Sequence, residues 1–174
     1  MVGRPQETEA APHYFTYINQ VSGDDPARIL ARQREESLAL FRGITEEKSL
    51  YRYASEKWSI RQVLNHVSDT ERAMAYRALW FARGFESALL SLDQNVAAAG
   101  AQADAVSWGA HVEEFDRVRL ATLSLFRNMP PEGWPRCGTV SGNRFTVRAL
   151  AFIIAGHLAH HLTGLRQRYL APPA

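Results

Sequence analysis

Cysteine is nearly missing from this chain. Cys137 stands alone among 174 residues, which excludes an internal disulfide and a thiolate zinc site within one chain. Lysine is almost as scarce, with only Lys48 and Lys57, so the cations are nearly all arginine. Neither sign of charge dominates: 20 Lys and Arg against 18 Asp and Glu leave a formal charge of +2. These charges are interspersed, and no helix-turn-helix pattern or basic stripe appears, which argues against nucleic acid as a partner. No apolar run reaches membrane-spanning length. The polar opening MVGRPQETEAAPHYF lacks the apolar core of a secretory leader. With a lone thiol suited to a reducing compartment, the expectation is a soluble, cytoplasmic protein with no membrane partner. Repeats, low-complexity tracts and domain linkers are absent too, so one domain is expected.

What the chain does have is helix punctuation. Residues 1–12 read as a loose terminus, and HYFTYINQV (13–21) as an aromatic-rich segment that packs on the body. An N-terminal arm over 1–24 and one domain over 25–174 follow. Asp25 followed by Pro26 is a helix-start signal for a first helix running to Arg42, with Gly43 as its stop. Ser59 and Gln62 form a capping box for a second helix ending before Gly84, and Trp58 can staple onto Val63. Asp104 or Ser107 opens a third helix that ends at Met129, before Pro130-Pro131. Thr146 caps a fourth, reaching Tyr169. Four long helices without convincing strands imply an all-α four-helix bundle, with 44–57 and 84–104 as long crossover connections. Residues 134–145 read as extended or turn-like. Trp80, Phe81, Phe85 and Trp108 read by default as core, with a dimer surface as the other use.

The fourth helix, TVRALAFIIAGHLAHHLTGLRQRY, carries His157, His160 and His161. His157 and His161 are four residues apart, so both imidazoles rise from one helix face, a geometry that lets two ring nitrogens meet one metal ion. On the second helix, His66 shares a face with Asp69, Thr70, Ala73 and Arg77. That polar stripe suits either solvent or a pocket inside the bundle. If His66 points inward at the level of His157 and His161, three imidazoles surround one ion and leave a position open for water or substrate. All-nitrogen ligation suits zinc, nickel, iron or copper.

The stretches KWSIRQVLNHVSDTERAMAYRALWFARG (57–84) and GTVSGNRFTVRALAFIIAGHLAHHLTGLRQRYL (138–170) resemble the two signature regions of the DinB/YfiT-like family. RYASEKWS (52–59) and TYINQVSGDDP (16–26) extend the likeness over most of the chain. The resemblance implies a four-helix bundle with a divalent transition metal (zinc, nickel or iron) held by His66, His157 and His161, with His160 a neighbour. The chain departs from the family pattern at Glu56, where a glycine is common, at SALLSLDQ (87–94), and at Leu158, where many members are acidic.

Family members with known activity resemble thiol-dependent enzymes, including bacillithiol S-transferases and mycothiol-dependent isomerases. The resemblance therefore implies a transferase that adds a low-molecular-weight thiol to an electrophilic small molecule. Asp69 is expected either to fix a ring orientation or to act as a base, and Arg77 to hold an anionic group. A metal-dependent hydrolase is the nearest alternative, and a non-catalytic helical stress-response or interaction protein the other. A homodimer is expected by resemblance.

Overall fold

The long helices of the computed structural model, which describes residues 2–171, begin at polar side chains that cap them. Asp25 accepts from the Arg28 amide at 3.1 Å and starts α2, Pro26–Arg42. Ser59 accepts from the Gln62 amide while Gln62 accepts from the Ser59 amide, at 3.1 and 3.0 Å, starting α3, Ile60–Ala82. Ser107 accepts from the Ala110 amide at 3.3 Å at the head of α5, Trp108–Arg127. Thr146 accepts from the Ala149 amide at 3.0 Å and opens α6, Val147–Gly164. Each bond satisfies an amide that the first helical turn leaves without a partner. Two shorter helices complete the set: α1, Phe15–Ile18, and α4, Gln94–Ala101.

The four long helices form a bundle in which α3 packs against α5 and α6, and α2 packs against the same two. Sequence neighbours α2 and α3 therefore stand diagonally opposed, as do α5 and α6. Residues 43–59 cross between the first pair and 128–146 between the second. The segment 84–104 joins helices that are already adjacent, and it holds α4 where the sequence lacks clean periodicity. The stretch read as extended or turn-like is an antiparallel hairpin, β1 (Cys137–Val140) with β2 (Asn143–Thr146), running directly into the Thr146 cap. The third helix ends at Arg127, before Met129. The fourth is α-helical to Gly164 and closes with a π-helical turn, Leu165–Tyr169, whose Tyr169 hydroxyl donates to the Trp58 carbonyl at 2.9 Å.

Residues before α1 are tied down, contrary to the expected loose terminus. Arg4 donates to the carbonyls of Ile18 and Val21 at 2.9 and 2.8 Å, and the Gly3 amide to Asp24 at 3.0 Å. Buried Glu9 accepts from Thr146 at 2.7 Å and from Arg148 at 3.0 Å. The signal was hidden because each partner lies far away in sequence. Phe81 and Trp108 are core, whereas Phe85 is exposed and stacks on Trp80 with centroids 4.1 Å apart. Cys137 is exposed on β1. Among the described residues no helix is long and apolar enough to cross a membrane.

Gly156 lets α1 lie directly on α6: a Cβ there would overlap the Tyr17 carbonyl, which is backbone and cannot rotate away. Gly156→Ala is expected to destabilise the protein by about 1–3 kcal/mol and to speed amide exchange in α1. Thermal denaturation with hydrogen exchange reads both, and an unchanged melting temperature would show that α1 shifts freely.

Candidate metal centre

His66 comes from the second turn of α3, and His157 and His161 from the C-terminal half of α6, so packing of α3 on α6 brings them together. His66 Nε2 and His161 Nε2 each lie 3.1 Å from His157 Nε2. One ligand atom from each of the three residues lies within 4.8 Å of the others. Nitrogens about 2.0–2.1 Å from a tetrahedral metal stand roughly 3.3 Å apart, close to the two 3.1 Å separations from His157 Nε2.

Desolvation keeps these imidazoles in the ligating form. Burial lowers the His66 pKa to about 4 and the His161 pKa to about 3, with nearby His66 and His160 adding to the latter. His157 is lowered well below its ordinary value, first by burial and then by its histidine neighbours. A neutral ring offers a lone pair, and a cluster of rings that cannot charge is suited to a cation.

His160, the remaining histidine of the helix, points to the exposed side and meets Tyr17 edge-on at 5.5 Å between centroids. Tyr17 also meets His157 edge-on at 5.4 Å, and Trp58 lies 5.0 Å from His66. These aromatic walls were visible in sequence only as packing residues. The 13–21 segment carried no sign that it would cover the histidines.

The triad separates two hollows. On one side is a cavity of about 390 Å³ lined by His66, His157, Tyr14, Tyr17, Thr70 and Arg77. On the other, His161 opens onto a cavity with Tyr53, Lys57, Trp58 and Arg168. The polar stripe of α3 therefore faces a pocket at Thr70, Ala73 and Arg77. Asp69 does not join it. At about 100° per residue it stands roughly 60° around α3 from His66, against about 20° for Ala73 and Arg77. That rotation turns it toward α5, where Arg72 donates to it at 3.3 Å and also pairs with Glu114 at 2.8 Å. Burial raises its carboxyl above the ordinary range and Arg72 opposes the rise. No hydrogen bond links Asp69 to the three histidines, so the expected ring-fixing contact is not made.

Fold and site together define a helical bundle with a three-histidine centre. The chain belongs to the DinB superfamily, whose family model matches residues 29–163. Among solved structures it is similar to YfiT from Bacillus subtilis, described as a probable metal-dependent hydrolase with an unusual four-helix bundle topology. That likeness has a TM-score of 0.66 at 15% identity and covers 95% of this chain and 92% of YfiT. It is also similar to the mycothiol-dependent maleylpyruvate isomerase, with a TM-score of 0.68 at 10% identity, over 83% of this chain and 61% of the isomerase. Among curated proteins, none matches in sequence.

Acid should weaken the metal-free fold. Unfolded histidine takes up a proton near pH 6.5, whereas folded His66 does so at about 4 and His161 at about 3. Between those values the unfolded chain binds more protons, so stability falls as pH drops. In chelator, the melting temperature is expected to decline from pH 7 to pH 5 more steeply for the parent than for His161→Gln. Equal slopes would show that this ring is not held neutral.

Proposed function

We propose that this protein is a metal-dependent enzyme that joins a low-molecular-weight thiol to an electrophilic small molecule. The observation that carries the reading is the convergence of three neutral imidazoles, from helices distant in sequence, on a wall between two cavities. A reaction between two molecules needs both delivered to one centre, and a wall reached from two sides offers that. His66, His157 and His161 would hold a divalent transition metal, whose identity among zinc, nickel and iron the nitrogen donor set leaves open. Such an ion favours the deprotonated form of a bound thiol or water and polarises a carbonyl.

The chain's own groups do the rest. Tyr17 and Trp58 shield the rings from water, which strengthens charge interactions at the centre. Arg77 lines one cavity as a fixed cation. Asp69 is paired with Arg72 on the α5 side and makes no hydrogen bond to the three histidines. Hydrolysis at the same centre is the second reading, favoured by the description of YfiT. The cytoplasm, where small thiols stay reduced, and a homodimer complete the proposal.

Metal content of untagged protein, measured by mass spectrometry, is expected to be near one ion per chain and to vanish in both His66→Ala and His157→Ala. Conversion of electrophiles should consume thiol in equal amount and fall more than about 100-fold in either variant, since even outer partners of a ligand are worth 10–100-fold. Turnover without thiol would favour hydrolysis. A parent that holds no metal and takes up none at neutral pH would remove the three-histidine centre.

A further inference from the structure

Among the described residues three arginines are buried: Arg61, Arg77 and Arg119. Two have carboxylates. Arg61 donates to Glu46 at 2.5 Å, and Arg119 donates to Glu71 at 2.7 Å. Arg77, 6% exposed, has no carboxylate within ion-pair reach. Its partners are the Leu90 carbonyl at 3.1 Å and the Met74 sulfur at 3.4 Å, the latter a weak acceptor. A buried charge without a counterion is costly, and a guanidinium does not escape by deprotonating. The fork of five donors is therefore largely unspent, and it lines the cavity bounded by His66 and His157.

The rest of that lining points the same way. It contains no aspartate or glutamate, and it supplies uncharged donors from Tyr14, Tyr17, Thr70, Ser91 and Gln94. A cavity with one buried cation, neutral imidazoles and several hydroxyls calls for an anion. One cation balances one negative charge. With no ion at the triad, a monocarboxylate leaves the cavity neutral, whereas a doubly charged phosphate leaves an excess charge away from water. The planar fork also matches a carboxylate through two parallel hydrogen bonds.

We propose that Arg77 seats a carboxylate of the substrate in the cavity it shares with His66 and His157. The seat names the substrate class for the metal-dependent chemistry proposed above and rests on that reading only for orientation toward the histidines. Carboxylate binding itself needs no ion at the triad.

The test uses full-length protein stripped with chelator. Calorimetric titration with propionate and with inorganic phosphate, each against potassium chloride at equal ionic strength, is run on the parent, Arg77→Met and Arg77→Lys. Propionate is expected to bind the parent, to weaken at least about tenfold in Arg77→Met, and to recover in part in Arg77→Lys. The unliganded Arg77→Met protein should melt no lower than the parent, because the change removes an unpaired buried charge. Propionate binding that is absent in the parent, or unchanged in both Arg77 variants, overturns the seat. So does a lower melting temperature of Arg77→Met with binding intact, which would make Arg77 a fastener for the Leu90 segment. Phosphate bound more tightly than propionate overturns the carboxylate assignment. Loss of metal binding with propionate binding intact would remove the enzyme reading alone.

Discussion

The buried contact between Arg119 and Glu71 sets the register on which everything else rests. Arg119 on α5, with no exposed surface, donates to both carboxylate oxygens of Glu71 on α3, at 2.7 to 3.1 Å. It also donates to the Leu30 carbonyl on α2 at 3.2 Å. Gln33, one turn along α2, donates to the Ala155 carbonyl on α6 at 2.9 Å. All four helices of the bundle are thus joined through one polar core. Desolvation of both ions cancels much of their attraction, so the pair adds little net stability compared with an apolar core of the same volume. It does penalise every register that leaves one partner buried and alone. Apolar ridges tolerate slippage, and this network does not. Glu71 lies five residues beyond His66, and Ala155 two residues before His157, so the same register sets the distance between the metal-ligating rings.

Polarity in the bundle is arranged in layers. Around the Arg119 network each charge meets its opposite. One layer away the imidazoles are kept uncharged by desolvation, and a guanidinium is left facing an open cavity. Interiors ordinarily remove such imbalance, because burying an unmatched charge costs free energy that the fold must offset elsewhere. Apolar packing by Leu150, Ile153, Ile154 and Phe152 on α6 is extensive enough to carry it. The centre thus sits where the fold is strong on one flank and electrostatically unbalanced on the other.

Much of the fold was legible because helix starts are local events. Asp25, Ser59, Ser107 and Thr146 act within three residues of themselves, and each caps as its sequence context implies. The pairing of His157 with His161 was equally local. Their meeting with His66 was reached by resemblance, since nothing within α3 reports its rotation. Asp69 shows the limit: a position three residues from His66 shares its broad face, yet the helical angle turns it onto α5. The hairpin went unseen because its strands are four residues each and depend on the contact of Gly138 with Phe81. The crossing order went unread because loop length alone does not say which helices are neighbours. Arg77 was visible as a cation, but its lack of a carboxylate is a property of the whole interior.

The close approach of α1 to Gly156 also bears on time. The residue after that glycine is His157, and Tyr17 lies across its ring, so one route between the triad and solvent is closed by a four-residue helix. Small elements of this kind open far more often than the bundle beneath them. Exchange along that route would then be timed by the lifting of α1 and not by the unfolding of the bundle. On that side affinity and exchange rate become separable quantities, one set by the rings and the other by the short helix that covers them.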